Sequence, residues 1–266
     1  MARLPDDRID LAKAALLISR TEYPHLDESF YLGRLEDMAA RLKPRIAGKT
    51  SPEVVIKEIN RLLFEEEEFR GNTHNYLDPR NSFLNQVLER KLGIPITLSL
   101  VYMQVGRKAG LHIQGIGLPG HFITALCDDR CKIYIDPFNQ GKILSEEECR
   151  QMVMSRYGGE RGFETRFLDP AGPKHILARM LRNLKAIYRH MDEELKAFQM
   201  IEWIVALDPN APTELRERGL LYEAIGDFAR AVRDLGKYLE LSPMAEDEEM
   251  IRAKIEMLRD KTSLIH

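Results

Sequence analysis

The chain has 266 residues, of which 44% are hydrophobic and 30% are charged, and its formal net charge is −3. This length suffices for one large domain or two modest ones, each with its own buried core. The composition lacks the basic excess of proteins that bind nucleic acids or anionic lipid surfaces, so we expect neither of these partners.

The apolar and cysteine patterns argue against further classes of protein. No apolar window approaches the roughly 18 residues that span a bilayer, and the N-terminal segment has no signal-peptide cleavage site, so we expect a cytoplasmic protein without membrane contacts. The three cysteines, Cys127, Cys131 and Cys149, lack paired CxxC spacing, which argues against a disulfide framework and a zinc site. We expect no metal and no cofactor.

Helical periodicity runs through the N-terminal quarter of the chain. Apolar residues recur at steps of three and four, which predicts helices with one buried face: Leu11, Ala15 and Ile18, then Leu32, Leu35, Met38 and Leu42. A further helix is predicted from Pro52, because proline suits the first helical turn. The acidic run from Glu65 to Glu68 ends this region and is interpreted as a solvated face.

A polar loop, GNTHNYLDPRN, occupies residues 71–81. The candidate binding residues are Asn72, His74, Asn75 and Asp78 in this loop, and Pro95 beyond it. Loops of this kind line many binding sites, but the same residue types also build ordinary turns, so both interpretations stay open.

The segment ITLSLVYMQV, residues 96–105, is apolar on nearly every side, which predicts a buried central helix that begins at Pro95. Arg107 and Gly110 supply the cation and the glycine that are typical of a helix end. Ser99 lies one turn beyond Pro95 on the same face, so it places a hydroxyl near the start of the helix.

Two strands are predicted after this helix. Residues 121–127 and 131–136 are rich in strand-forming side chains and flank the turn-forming cluster Asp128-Asp129-Arg130, which indicates a hairpin. If the turn is centred between its first two residues, His121 lies directly opposite Asp136. The two side chains then share one face of the sheet.

The last third of the chain repeats itself at a constant interval. Matching pairs are Tyr188 and Tyr222, Ala197 and Ala231, Leu207 and Leu241, and Pro209 and Pro243. The pattern resembles the tetratricopeptide repeat, a helix hairpin of about 34 residues that buries small residues where its helices meet. We expect two hairpins and a final helix over 247–259. A linker containing Gly158, Gly159, Gly162, Pro170 and Gly172 predicts a domain boundary near residue 170.

The order of helix, histidine and aspartate resembles the transglutaminase-like superfamily, whose motif runs from a Gly-x-Cys helix start to a strand His and an Asp-Pro. The matching residues are Gly93 and Pro95 at the helix start, Ala109-Gly110 at its exit, His121, and Asp136-Pro137. The resemblance implies a Cys-His-Asp amide-transfer site. Counting back along the motif places Pro95 where the nucleophilic cysteine is expected.

Three motifs followed by a repeat tail resemble the SirB-type family of bacterial transglutaminase-like proteins: LDPRNSFLNQVLERKLGIPITLSLVY, GIGLPGHF and YIDPFNQG. The resemblance implies an α+β fold, with a helix-rich transglutaminase-like (papain-like) core and a small antiparallel sheet, followed by an all-α tetratricopeptide-like tail. The expected domains are residues 1–170 and 171–266. The family implies a fold rather than a settled activity.

Two functional hypotheses follow. In the first, the protein has lost its nucleophile and binds proteins or peptides, through its domain cleft and repeat tail. In the second, His121 is a general base oriented by Asp136, and Ser99, Thr97 or a water attacks an amide. We favour the first, because a hydroxyl needs much stronger base assistance than a thiolate. An imidazole that solvent can reach favours catalysis or peptide binding. An imidazole buried beneath Phe138 indicates the inactive remnant of an ancestral site.

Overall fold

The computed structural model describes residues 4–128, 131–157 and 162–263. Contacts divide the chain into two compact units, one up to Met180 and the other from Leu181 onward. The first unit contains α1 (Leu11–Ser19), α2 (Glu28–Ile46), α3 (Pro52–Asn60), β1 (Arg70–Gly71), α4 (Leu84–Arg90), β2 (Leu92–Gly93), α5 (Pro95–Lys108), β3 (Ile113–Ile116), β4 (Ile123–Cys127), β5 (Lys132–Asp136), β6 (Lys142–Leu144) and α6 (Glu146–Tyr157). The chain then continues as α7 (Pro173–His190), α8 (Glu194–Leu207), α9 (Pro212–Ala224), α10 (Phe228–Leu241) and α11 (Glu248–Ser263).

The three N-terminal helices follow the predicted periodicity. Their buried stripes include Leu11 in α1 and Leu35 and Leu42 in α2, each at most 3% exposed. Helix α3 continues directly into a π-helical turn, Arg61–Glu66, which the sequence did not predict. In the acidic run that follows, Glu66 lies at the surface and pairs with Arg41 at 3.0 Å.

Helix α5 is the predicted central helix, because every residue from Pro95 to Gly106 is buried. Its first turn is fixed by Thr97, whose hydroxyl accepts a hydrogen bond from the Ile94 N–H at 3.1 Å and donates to the Asn81 carbonyl at 2.7 Å. A buried backbone N–H at a helix start needs such a partner. Thr97 thereby joins the helix start to the preceding loop.

The main sheet is antiparallel, with the order β3-β4-β5-β6. The predicted hairpin is formed by β4 and β5, but its register is two residues from the predicted one: Thr124 pairs with Ile135, not with Ile133. The strands close at Asp128, whose N–H donates to the Cys131 carbonyl at 3.0 Å, so the turn lies later than predicted. Of the predicted turn cluster, residues 129 and 130 lie outside the described residues. Since β4 begins at Ile123, the histidine at 121 precedes the strand.

A shift of two residues preserves the alternation of faces, so the predicted side of the sheet is unaffected. A second, two-stranded parallel sheet pairs β1 with β2 beside the start of α5, and the sequence did not predict it. The predicted linker pairs with β3, where Ile116 bridges Pro170 and the Ala171 N–H donates to the Gly115 carbonyl at 2.8 Å. Gly158 and Gly159 lie outside the described residues. The domain boundary near residue 170 stays a prediction.

The second unit is helical throughout its described part, as the repeat predicts. Its core includes Tyr222 of α9 and Ala231 and Leu235 of α10. Gly219 permits close approach of these two helices, because a Cβ added there would lie 2.8 Å from the Leu235 side chain. Small residues therefore occupy the contact between the paired helices, as in tetratricopeptide hairpins.

Overpacking this contact should destabilise the second unit. Ala231 is fully buried, so Ala231→Leu should lower the free energy of unfolding by about 1–3 kcal/mol through displaced core side chains. Urea unfolding followed by circular dichroism measures this loss. Ala229→Leu is the matched control, because Ala229 is exposed on the same helix. Equal unfolding midpoints for the two variants would contradict the packing described here.

Candidate functional site

Asp136 ends β5 and is held by the turn that it begins. Its Oδ1 accepts the backbone N–H groups of Phe138 at 3.0 Å and Asn139 at 3.3 Å. An aspartate followed by proline is well suited to this role, because the carboxylate caps the first N–H groups while Pro137 has none to satisfy. Local sequence therefore positions this oxygen of the carboxylate.

The second carboxylate oxygen, Oδ2, accepts from His121 Nε2 at 2.8 Å and from Asn139 Nδ2 at 2.7 Å. Burial raises the pKa of Asp136, but the hydrogen bond and the charge of His121, followed by the hydrogen bonds from Asn139, outweigh burial and lower it. The carboxylate is thus ionised at neutral pH. An ionised carboxylate only accepts, so the shared proton belongs to Nε2 of the histidine.

His121 is enclosed, and only 3% of the residue is exposed. Phe138 packs edge-on against the imidazole, with ring centroids 6.1 Å apart at 83°. The backbone is also fixed, since the His121 N–H donates to the Leu118 carbonyl at 3.1 Å and Arg179 Nη2 donates to the His121 carbonyl at 2.6 Å. Nδ1 has no hydrogen-bond partner among the described residues, which is uncommon for a buried polar atom.

The candidate hydroxyls are engaged elsewhere. Ser99 is fully buried, and its Oγ donates to the Phe122 carbonyl at 3.3 Å, one residue from the histidine backbone. The Thr97 hydroxyl bonds the Asn81 carbonyl. Pro95 is buried at the first position of α5 and contributes no polar side-chain atom. The structure therefore brings Ser99 near residue 122, but it shows no hydrogen bond from either hydroxyl to the imidazole.

The three thiols are in environments that oppose thiolate formation. Burial raises the pKa of Cys149 to about 11, with nearby carboxylates adding to the effect. Burial also raises the pKa of Cys127, whose Sγ donates to Gln114 Oε1 at 3.3 Å, and that of Cys131. A nucleophilic cysteine requires the opposite shift. None of these thiols is hydrogen-bonded to the histidine in the described structure.

Several polar groups of the loop before the central helix form hydrogen bonds with other residues of the same loop. Asn72 Nδ2 donates to Asn81 Oδ1 at 3.0 Å, and Asn72 Oδ1 accepts the Asn75 N–H at 3.0 Å. Asp78 is buried and pairs with Arg80 at 2.8 Å and Arg90 at 3.2 Å.

The charge state of Asp78 follows from these pairs. Burial raises the pKa of Asp78, but the hydrogen bonds from Arg80 and the charges of both arginines outweigh burial and lower it. The side chains of Asn72 and Asp78 therefore have structural partners, and Asn75 is held through its backbone. His74 is exposed.

A cavity of about 530 Å³ lies beside this loop, at the paired strands β1 and β2. His121 is not among its lining residues, but Phe138, which packs against the imidazole, forms one wall. Sequence reasoning did not identify this cavity, because its walls come from three distant segments. Lining residues include Arg70, Asn72, His74, Leu92, Phe138 and Gln140.

No group of three or more His, Cys, Asp or Glu side chains in the described chain is arranged to hold a metal ion. Separately, none of the helices in the described ranges combines the length and apolar character needed to cross a membrane.

Comparison with known proteins extends over nearly the whole chain. Residues 29–182 match the Transglutaminase-like superfamily, and residues 184–256 match the Tetratricopeptide repeat. A UPF0162 protein of Xylella fastidiosa (strain Temecula1) is 36% identical over 269 residues, which cover 100% of this chain and 96% of that protein. A UPF0162 protein of Vibrio cholerae is 24% identical over 253 residues, which cover 95% of this chain and 93% of that protein. F-box only protein 21 of Mus musculus is 31% identical over 141 residues, 50% of this chain and 22% of that protein.

The chain therefore belongs to the transglutaminase-like superfamily, in the SirB-type bacterial family with a tetratricopeptide tail. The fold predicted from the three motifs and the repeat spacing is confirmed.

The buried carboxylate should make a pH-dependent contribution to stability. Asp136→Asn removes one acceptor and the charge, so the free energy of unfolding at neutral pH should fall by about 1.5–3 kcal/mol. The folded-state pKa of Asp136 lies below its ordinary 3.8, so the contribution of the ionised group is fully present above that pH and is lost as pH falls through the lower, folded value. Urea unfolding at several pH values should therefore show the variant and the parent converging only in acid.

Asp169→Asn serves as the control, because Asp169 is exposed. A stability loss in Asp136→Asn no larger than in this control would contradict the assigned role of the carboxylate.

Proposed function

We propose that this protein is a transglutaminase-like protein without a nucleophilic cysteine, which binds a protein or peptide rather than transforming it. The observation that carries the non-catalytic half of the proposal is the enclosure of His121. Its Nε2 is bonded to Asp136, its Nδ1 faces no hydrogen-bonding partner in the described residues, and Phe138 covers the ring. A general base needs a nucleophile within hydrogen-bond reach.

The chemistry of the available nucleophiles supports the same conclusion. The motif places Pro95 where a cysteine would start the helix, and proline has no nucleophilic atom. The thiols of Cys127, Cys131 and Cys149 have raised pKa values, so the thiolate fraction near neutral pH is small. The Ser99 hydroxyl is bonded to a backbone carbonyl.

The repeat tail supports a protein partner. Stacked helical repeats present extended surfaces that bind proteins in many families. In this chain Met191 and Ile225 occupy equivalent positions of the two repeats, and they are 48% and 70% exposed. Each lies just beyond the first helix of its hairpin. Repetition of an exposed apolar residue at the same place in two repeats indicates a surface used for contact.

The alternative is a hydrolase or transferase in which His121 activates a hydroxyl or a water. The absence of a hydrogen-bond partner for Nδ1 in the described residues favours this alternative, because a general base needs a ring nitrogen that other groups do not occupy. The enclosure of the ring opposes it, since only 3% of His121 is exposed and an amide substrate must contact that nitrogen or a group beside it.

The activity of the full chain separates these two hypotheses. We expect no release of ammonia from a panel of N-acetylated glutamine peptides and no incorporation of a fluorescent amine into them. Alkylating the thiols with iodoacetamide should change nothing, because no thiolate takes part. An authentic thiol transglutaminase is the positive control. Turnover that is lost in both His121→Ala and Ser99→Ala, with the fold intact by circular dichroism, would install the enzyme hypothesis instead.

The binding half of the proposal predicts the effect of two surface changes. A full-chain double variant, Met191→Asp and Ile225→Asp, should lose the proteins that the parent captures from a bacterial lysate, because charge opposes apolar docking. Met154→Asp is the control, since Met154 is 40% exposed in the other unit. Quantitative mass spectrometry compares the captured sets. If the double variant still captures every protein that the parent captures, the proposed binding role of this surface of the repeat tail is wrong.

A further inference from the structure

The cavity at β1 and β2 has the size and the walls of a ligand site. Its volume of about 530 Å³ lies within the roughly 300–1,000 Å³ of small-ligand pockets. Leu92 and the ring of Phe138 supply apolar wall, while Thr73 and Gln140 supply a hydroxyl and an amide. We infer that this cavity binds a peptide carboxylate, held by Arg70 at its polar side, and this inference rests on the proposed peptide-binding function.

The charge of the lining determines the class of ligand. Arg70 and His74 are the basic residues of the described lining, and none of that lining is Asp or Glu. Guanidinium groups bind carboxylates through two parallel hydrogen bonds, which gives both energy and orientation. The cavity therefore selects an anion over a neutral or cationic group.

The guanidinium of Arg70 is available for such a ligand. The acid with which it pairs in the described structure is Glu68, at 4.0 Å between Nη2 and Oε1, and the two side chains are 59% and 71% exposed. An exposed pair at this distance contributes little to stability. A bidentate ligand carboxylate would exchange this loose contact for two short hydrogen bonds.

The remaining walls favour a peptide over a small inorganic anion. A carboxylate alone fills a minor part of this volume, and the apolar wall would stay unoccupied. A peptide places an apolar side chain against Phe138 while its backbone amides meet Gln140 and Thr73. The ligand class is thus a peptide segment that carries an apolar residue beside a carboxylate, either an acidic side chain or a free C-terminus.

The cavity is held in shape by the contacts that also hold the buried pair. Gly71 packs directly beneath the Phe138 ring, since an added Cβ would lie 2.6 Å from Cε2 of that ring. Asn139 lines the cavity and donates its side-chain N–H to Asp136. Little rearrangement is needed before a peptide binds, which lowers the entropic cost of binding.

The test uses the ¹⁵N-labelled full chain, titrated with four tetrapeptides and followed by NMR. Three have acetylated and amidated ends, with the sequences Ala-Phe-Glu-Ala, Ala-Phe-Gln-Ala and Ala-Phe-Lys-Ala; the fourth is acetylated Ala-Phe-Gln-Ala with a free C-terminus. We expect the glutamate peptide, the free C-terminus, or both to shift the amide signals of Gly71, His74 and Gln140. The neutral blocked peptide and the lysine peptide should not shift them. The first and fourth peptides tell the two carboxylate sources apart.

Arg70→Gln should weaken binding of the carboxylate peptide by about tenfold or more, because it removes a charge-assisted hydrogen bond. Arg61→Gln is the matched control, since Arg61 is similarly exposed at 61%, pairs with Glu66 at 3.6 Å and does not line the cavity. Equal affinities for the two variants would overturn the inference, as would equal shifts with all four peptides or no shifts at all.

The outcome is separable from that of the proposed function. If no carboxylate peptide binds but the tail surface still captures its partners, only the cavity assignment fails. If the full chain turns over glutamine peptides, the proposed function fails whatever the titration shows.

Discussion

The carboxylate of Asp136 accepts hydrogen bonds from two backbone N–H groups, from the Asn139 side chain and from the His121 ring. These four contacts end a strand, shape the next turn and anchor a buried histidine at once. Because the turn follows directly from the aspartate, it also sets the position of Phe138, the ring that covers the imidazole and walls the neighbouring cavity. Removing the negative charge would loosen all of these features together.

Local patterns predicted the features that depend on neighbouring residues. The all-apolar segment after Pro95 is the buried central helix, and the constant spacing of matched residues in the last third marks the helical repeats. The hairpin was predicted correctly, but its register was wrong. The register depends on the position of the turn, and several consecutive polar residues in this segment are equally suitable turn residues. The error was two residues, an even number, so the side of the sheet that faces the histidine was unaffected.

The features that sequence did not predict depend on contacts between distant segments. Asp78 was a candidate binding residue, yet it pairs with Arg80 of the same loop and with Arg90 at the end of α4. The strands β1 and β2 contain two residues each, too few for any periodicity to reveal. The cavity needs Gly71, Leu92 and Phe138 together, and no pattern in the chain indicates that these three residues meet.

The contacts that enclose the histidine also shape the neighbouring cavity. Phe138 packs edge-on against the imidazole and also forms a wall of the cavity, and Asn139 donates a side-chain N–H to the buried carboxylate while lining the same cavity. Because only 3% of His121 is exposed, a substrate could reach the ring only if the packing around it opened, and Phe138 belongs to that packing. A ligand in the cavity needs the wall intact, so occupancy would keep the histidine enclosed. Binding beside the pair and catalysis by the pair are therefore competing uses of one structural element.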